Sequence, residues 1–347
     1  MYTLTAITLK ESVAVEPGAN GATIQNVQQN TDLTGCATDI EVTTNRFDAA
    51  AKMTFTTVEN SGIALESGSA IQFNDNGTPV FAGYIFTAKR SMGHTVEYTA
   101  YDQTYYLKAK ASYTFVNMSL EQIIQQIAAD FNLVVGTLEP TGYVFPCLVE
   151  ENKECLGIIF GALSQVIIQT GKIFTFYDEF GALVLKEVKN MMVTSMLGNN
   201  SLVTDYEYTR DTASDTYNRI KLVRPNKDTG RNDAFIHEDT ETIKKWGLLQ
   251  YYDSVDENLN DAQIDAMCAA YLQYYNRMVQ SITIDALGIA GLRAGNVIPV
   301  RIEQVEELSK NRLLLAEKVT HSYKGANVHT MSIEVKNFEQ LGGASWI

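Results

Sequence analysis

Residues 77–108 read GTPVFAGYIFTAKRSMGHTVEYTAYDQTYYLK and have the pattern of a β-hairpin. The hairpin begins with Asp75–Gly77, an Asx-Gly sequence that favours a tight turn with positive φ. Every second residue from Val80 to Ala88 is apolar or aromatic and falls on one face, and Thr95 to Tyr101 alternate in the same way. So many Tyr, Phe and Val residues at period two predict the core of a sheet rather than a catalytic loop.

The segment before this hairpin has the same period. Short strands are predicted at about 3–9, 39–43, 52–58 and 70–74, separated by Gly- and Asn-containing turns. Regular short strands of this kind indicate a sandwich or barrel. The polar stretch 16–34 is predicted to be a long loop, and long loops in compact domains are often functional or face a partner.

The period changes from two to 3.6 at Ser119. Ser119 with Gln122 forms a capping box, and the apolar residues that follow, as far as Phe131, make one helical stripe. A second helix is predicted at about 153–170 with Gly171 as its C-cap, and a hairpin follows it. These elements predict a small α+β domain.

The strand pattern returns after residue 200. Strands are predicted at 203–209 and 218–223, and the polar residues 225–258 are predicted to be irregular. A third helix is predicted to begin near Asn260. The chain then finishes in strands at 281–287, 297–302, 313–323 and 328–335.

The composition sets limits on the class of protein. The chain has 347 residues, 45% of them hydrophobic and 20% charged, which is typical of a globular protein with two or three domains. Its net charge of −14 argues against specific nucleic-acid binding, which needs a basic surface. The N-terminus lacks the pattern of a signal peptide, and no apolar run approaches the ~20 residues of a membrane span.

The four cysteines are scattered and form no CxxC pair. We therefore predict reduced, buried thiols in a protein made in the cytoplasm, with Cys268 inside the third helix. The cysteines are Cys36, Cys147, Cys155 and Cys268.

Four histidines are candidate metal ligands: His94, His237, His321 and His329. His321 and His329 lie on the two arms of the last hairpin, with Glu334 nearby, so a bivalent site is conceivable. Neither has the i, i+4 helical partner of the known zinc patterns, and structural or solvent-facing histidines are the favoured interpretation.

No enzyme pattern emerges from the remaining residues. The sequence holds no G-x-S-x-G elbow, Walker loop or dinucleotide fingerprint, and the glycines of 288–295 are interpreted as turn residues. The tyrosines of the third helix, Tyr271, Tyr274 and Tyr275, are either a core face or a subunit contact. The sequence therefore predicts a protein that is not an enzyme, with no catalytic, cofactor-binding or metal-binding residues.

Several short stretches resemble one family. Phe81–Ile85, Tyr98–Gln103 and Tyr106–Lys108 are similar to the baseplate hub proteins of contractile phage tails, phage-tail-like bacteriocins and defective prophages, including late control proteins. Further similar stretches follow in the same order: 115–120, 170–172, 181–183, 205–206, 210–211, 217–222, 286–288, 292–296, 319–323 and 329–331.

The resemblance implies a mainly β fold with α+β insertions, built from two tail-tube-like β-barrels and a small mixed α/β domain. The implied segments are a first barrel at 1–110, a middle domain at 111–200, a second barrel at 201–224 with 281–337, an insertion at 225–280 and a tail at 338–347.

The resemblance implies a trimer, in which six barrels would form a ring between the hexameric tail tube and a three-fold spike. The implied partners are two further copies of the chain, the tail tube ring and the central spike or tail-tip protein. The tape measure and baseplate wedge proteins are further partners that the resemblance admits, while nucleic acid and a membrane anchor are not implied. The implied location is the baseplate of a virion or phage-tail-like particle assembled in the bacterial host cytoplasm.

Three other functions stay open. The first is the equivalent hub of a contractile injection or secretion system. The second is a tail-associated cell-wall hydrolase, for which the sequence offers no Glu motif. The third is a carbohydrate-binding adhesin, which predicts exposed aromatic grooves.

Overall fold

The computed structural model describes residues 2–14, 23–59, 65–199, 201–226, 230–255, 257, 259–325 and 328–336. The chain divides into two units, one formed by residues 1–207 with 283–347 and the other by residues 208–282. Strands dominate the first unit, so the predicted mainly β fold with α+β insertions is confirmed. No helix in the described ranges is long and apolar enough to cross a membrane.

The strands and helices are numbered in chain order. The first strands are β1 (Tyr2–Ala14), β2 (Thr23–Asp32), β3 (Ala37–Asn45), β4 (Lys52–Val58), β5 (Ala70–Asp75), β6 (Thr78–Arg90) and β7 (Thr95–Tyr101). Next come β8 (Lys110–Ser119), α1 (Leu120–Asp130), β9 (Val135–Leu138), β10 (Val144–Glu154), α2 (Cys155–Thr170), β11 (Phe174–Asp178) and β12 (Leu183–Glu187).

The second half continues the same numbering. Its elements are β13 (Leu197–Gly198), β14 (Val203–Asp211), β15 (Arg219–Asn226), β16 (Arg231–Glu238), α3 (Thr240–Trp246), β17 (Gln250–Ser254) and α4 (Asp261–Tyr275). The last strands are β18 (Val279–Leu287), β19 (Val297–Arg301), β20 (Arg312–Lys324) and β21 (Val328–Lys336).

One 13-stranded sheet joins the two ends of the chain. Its order is β14-β18-β21-β20-β3-β4-β7-β6-β5-β1-β2, with β19 paired to β20 and β13. At the junction, β20 pairs antiparallel with β3, and Arg46 makes a bidentate ion pair with Glu317 at 2.8 Å. Strands that the sequence assigns to two barrels therefore share one hydrogen-bonded sheet, and the two-barrel division stays a prediction.

The predicted hairpin is confirmed, but β6 buries the face opposite to the one that the sequence pattern predicts. Asn76 and Gly77 have φ values of 49° and 80°, as the Asx-Gly turn requires. Phe81 and Ile85 are the buried residues of β6, while the alternating residues from Val80 to Ala88 are half-buried or exposed. Both faces of β6 carry large apolar side chains, so only its register with β5 decides which face meets the core.

The stretch 16–34, predicted to be a loop, contains a strand. Residues 23–32 form β2, which pairs along its whole length with β1, and residues 15–22 lie outside the described chain. β2 is the outermost strand of the sheet beside β1. Polar residues are common on edge strands because they discourage further pairing, which explains why the sequence resembles a loop.

The middle segment has the predicted α+β character. Ser119 and Gln122 form the expected capping box at the start of α1, and Gly171 ends α2 in the left-handed conformation. The hairpin of β11 and β12 also forms, and β9 joins it in parallel. The apolar faces of both helices lie in one hydrophobic core, where Ile123, Ile127 and Leu163 are fully buried.

The second unit corrects another prediction. Residues 225–258, predicted to be irregular, contain β16, α3 and β17, and both strands pair with β15. α4 starts after its N-cap Asn260, as predicted. The core cluster is small and contains four fully buried apolar side chains: Ile220, Leu222, Ile264 and Cys268. A strand with few inward apolar residues shows almost no hydrophobic period, so β16 was missed.

The thiols are only partly as predicted. All four cysteines are free, and Cys155 and Cys268 are buried. Cys147 is exposed, which contradicts the prediction of buried thiols for that residue. It lies on β10, where Cys147 and Val149 are exposed on either side of the buried Leu148.

Candidate interaction surface

A groove lies on the outer face of β5 and β6. It has a volume of about 620 Å³ and is also lined by the short helix 103–108 and by residues 131–134 after α1. The described residues that line it carry no charge. Most lining residues are small or aromatic, so the groove presents an uncharged surface on an acidic protein.

An aromatic surface adjoins this groove. Its five side chains are Tyr84, Phe86, Tyr101, Tyr105 and Tyr106, and each ring contacts at least one other. Tyr101 and Tyr105 stack with centroids 4.4 Å apart, and Tyr84 meets Tyr106 edge-on at 5.9 Å. Tyr84 and Tyr106 are 38% and 39% exposed and also line the groove. The face of β6 that the sequence assigns to the core thus forms part of an exposed surface.

The structure brings His321 and His329 together but does not give them a third ligand. Their Nδ1 and Nε2 atoms lie 2.8 Å apart, and His329 Nδ1 lies 3.0 Å from the Asp75 carboxylate. Glu334, which lies nearby in the sequence, instead pairs with Lys318 at 2.6 Å. Among the described residues, no group of three His, Cys, Asp or Glu side chains could hold a metal ion.

The other two histidines lie elsewhere. His94 is exposed beside Glu59 at 3.3 Å, and His237 faces Asp265 at the same distance. Each has a carboxylate partner on the surface, in keeping with the solvent-facing interpretation.

Burial controls the protonation of the histidine pair. It lowers the pKa of His321 to about 4, a shift that the Leu292 carbonyl opposes and the neighbouring His329 reinforces. Burial also lowers the pKa of His329, and Asp75 opposes that shift. The Tyr323 hydroxyl donates to the same carboxylate at 3.4 Å, and burial raises its pKa. His321 is therefore a neutral, hydrogen-bonded core residue at pH 7.

A second buried polar cluster joins three distant segments of the first unit. Arg293 lies over the Tyr177 ring at 3.6 Å and donates to the Asp178 carbonyl oxygen at 2.9 Å. Gln103 donates to the Asp178 carboxylate at 2.7 Å. Burial, followed by the charge of Asp178, raises the pKa of Asp102 to about 7.

Raised carboxyl pKa values are also found at catalytic sites, but this cluster is closed. The cavity beside Asp102 and Arg293 has a volume of about 10 Å³, enough for about one water molecule. No substrate of larger size fits there. The cluster therefore has a structural role: it holds three segments of the first unit together.

The tyrosines of α4 divide between the two predicted roles. Tyr271 and Tyr275 pack half-buried against the core of the second unit, and Tyr275 stacks on Tyr251 at 5.3 Å. Tyr274 is 52% exposed and lies under the Arg277 guanidinium at 4.2 Å. Core packing explains the first two, and Tyr274 alone is available for a contact.

Sequence reasoning missed both the Asp102 cluster and the groove. Asp102 and Arg293 are 191 positions apart, and no local spacing connects them. The one usable signal was the position of Asp102 directly after a strand, where it caps the short helix 103–108. The groove combines strand, helix-end and turn residues, so no single stretch could reveal it.

Comparison with known proteins gives both a family and a fold. The family profile described as YQBQ-like matches residues 40–336. The Bacillus subtilis (strain 168) phage-like element PBSX protein XkdQ is 29% identical over 306 residues, covering 86% of this chain and 92% of XkdQ.

Two solved structures share the fold at low sequence identity. The prophage MuSo2 43 kDa tail protein from Shewanella oneidensis is 16% identical, with a TM-score of 0.65, covering 96% of this chain and 98% of that protein. The E. coli c3393 protein is 11% identical, with a TM-score of 0.52, covering 86% of this chain and 73% of c3393.

Proposed function

The chain belongs to the YQBQ-like family, and on that premise we propose that it is a structural tail protein, the baseplate hub. The observation that carries the proposal is the fold shared with the MuSo2 tail protein, which takes up 96% of this chain and 98% of that one. The similarity to XkdQ of the phage-like element PBSX supports the same kind of particle.

In this proposal the hub is a homotrimer that adapts one symmetry to another. Each copy contributes two tube-like barrels, and the resulting ring of six stacks on the hexameric tail tube. The opposite side holds the three-fold spike or tail-tip protein. Large interfaces between copies would hold such an assembly together. The particle would assemble in the host cytoplasm, with this chain in its baseplate and the tape measure and wedge proteins as further neighbours.

The proposed role is structural and involves no catalysis. It is supported by the closed Asp102 cluster, where the adjoining cavity of about 10 Å³ admits no sugar unit. A peptidoglycan zymogram tests the point at little cost. A cleared band at the mass of this chain, abolished by changing an acidic residue, would establish a cell-wall hydrolase instead.

A second candidate is the hub of a contractile injection or secretion system. It is favoured by the likeness to c3393, described as a component of the type VI secretion system with structural similarity to the T4 bacteriophage tail proteins gp27 and gp5. The neighbouring genes distinguish the two candidates, since capsid genes beside this one would indicate a phage particle rather than an injection or secretion system.

Two measurements test the hub proposal. Native mass spectrometry of the purified chain should give a species of three times the 38.5 kDa monomer mass. Gold-labelled antibody on particles from an induced lysate should mark the distal end of the tube, above the spike. A monomer together with gold on fibres, or with no labelled particle, would overturn the proposal.

A further inference from the structure

We propose that the groove on the outer face of β5 and β6 binds an uncharged saccharide. Five neutral polar side chains line it: Gln72, Gln103, Asn132, Tyr84 and Tyr106. Gln103 is bonded to Val134 and Asp178, and none of the other four has a side-chain hydrogen-bond partner in the described part of the chain. The proposal does not depend on the hub function.

The chemistry of the lining matches a sugar. Amide and phenol groups can donate and accept, as can the hydroxyl groups of a saccharide. The rings of Tyr84 and Tyr106 add apolar surface for the C–H faces of a sugar ring, and each has a polar end. A volume of about 620 Å³ is typical of sites for small ligands.

The uncharged lining of the groove favours uncharged saccharides over charged ones. The chain carries a net charge of −14, yet the lining described here holds no Asp, Glu, Lys or Arg. A charged ligand would lose hydration on entering the groove without gaining an ion pair. Neutral and N-acetylated sugars avoid that cost.

The floor of the groove argues against an extended peptide as the occupant. β5 is paired with β1 and β6, and β6 with β5 and β7, so neither strand offers a free edge. Peptides that add a strand to a sheet need such an edge for their main-chain hydrogen bonds. Binding here must therefore use side chains.

The groove is also held open in advance. Gln103 donates to the Val134 carbonyl at 3.3 Å and accepts from the Val134 amide at 3.1 Å, which ties residues 131–134 to the helix after β7. The same Gln103 donates to the buried Asp178 carboxylate at 2.7 Å. A site that is already ordered loses less entropy when it binds its ligand.

Calorimetric titration of the full chain tests the proposal. The probes are the trisaccharides of N-acetylglucosamine, α-1,4-glucose and β-1,4-glucose, with trigalacturonate and the trimer of glucosamine as charged comparisons. Tyr106→Ala removes one ring, and Asn132→Gly removes one amide at a residue with φ of 53°, which glycine tolerates. Tyr252→Ala is the matched control, because Tyr252 is 57% exposed and lies outside the groove.

We expect at least one neutral trisaccharide to bind, about ten-fold more weakly to each groove variant and unchanged to Tyr252→Ala. Thermal unfolding of each variant verifies that its fold is intact. The proposal is overturned if no neutral probe binds at millimolar concentration, if the charged probes bind equally well, or if the groove variants bind like wild type. The proposal would also be overturned if wild type bound no sugar and Tyr106→Ala prevented particle assembly. The groove would then be a binding surface for another protein.

Discussion

The Nδ1 atom of His321 lies 2.8 Å from the Nε2 atom of His329, and the Nε2 atom of His321 lies 2.6 Å from the Leu292 carbonyl oxygen. Because a carbonyl oxygen only accepts, His321 donates from Nε2 and, when neutral, accepts at Nδ1 from His329. The His321 Nε2–H bond to Leu292 therefore ties the last hairpin to residues 288–296, and the bond to His329 links the two arms of that hairpin.

Acid should destabilise the folded protein through His321. The pKa of His321 is lowered from 6.5 to about 4 in the folded protein, chiefly by burial, so its contribution to stability is present above pH 6.5 and is lost as the pH falls toward 4. The loss can reach about 3 kcal/mol. Urea unfolding of wild type and His321→Gln at pH 7 and pH 5 measures it. Equal loss in both proteins on acidification would contradict the assignment.

Asp102 should change the stability with pH in the opposite direction to His321. Burial and the Asp178 charge raise its pKa from 3.8 to about 7, so its contribution to stability is present below pH 3.8 and is lost as the pH rises through 7. Across that window the change amounts to about 4 kcal/mol. Asp102→Asn should be less stable than wild type at pH 4 and gain on it as the pH rises to 8. A constant difference between the two proteins over this range would speak against the shift.

Removing Arg293 should leave the carboxyl groups of Asp102 and Asp178 without their buried cation. We expect Arg293→Leu to lower the free energy of unfolding by about 3–5 kcal/mol at pH 8. Arg301→Leu is the control, since Arg301 is half-exposed and pairs with Glu303 on the surface. Denaturant unfolding measures both, and adding Asp102→Asn to Arg293→Leu should restore part of the loss. Equal effects of the two arginine variants would refute the role of the cluster.

Gly83 allows β6 and β7 to approach each other. A Cβ atom there would overlap the carbonyl oxygen of Tyr101, which is backbone and cannot move aside easily. We expect Gly83→Ala to destabilise the protein by about 3 kcal/mol or more. Gly35→Ala, where a Cβ meets nothing within 4 Å, should change stability by less than about 1 kcal/mol. Thermal unfolding distinguishes them, and equal midpoints would show that the hairpin tolerates the wider spacing.

The thiols should differ in reactivity. Burial raises the pKa of Cys155 and of Cys268, and both side chains are shielded from solvent, whereas Cys147 is exposed. Labelling with a thiol reagent in native buffer should modify Cys147 before these two. Peptide mapping by mass spectrometry reads the order, with Cys147→Ser as the control. Early modification of Cys155 would show that the α2 segment opens readily.

Local patterns predicted the elements well where one signal dominated. The capping box of Ser119, the turn of Asn76-Gly77 and the C-cap at Gly171 each fix a backbone geometry within a few residues. They were confirmed because the physical cause is local.

Elements set by distant pairing could not be predicted in the same way. β2 is a strand because β1 lies beside it, and the face that β6 buries follows from its register with β5. The candidate site depends even more on such pairing, since its residues come from β5, β6, the helix after β7 and the segment after α1. Its chemistry was visible in the residue types, but their proximity was not.

The pairing of β3 with β20 has a consequence for synthesis of the chain. Thr43 and Thr320 meet across this junction, 277 positions apart. At a typical rate of 5–20 residues per second, β3 waits roughly 15–55 s on the ribosome with one edge unpaired. Protease protection of β3 in stalled nascent chains should appear only once β20 has emerged. We therefore expect the N-terminal half of the nascent chain to expose the unpaired edge of β3 until the last strands are translated.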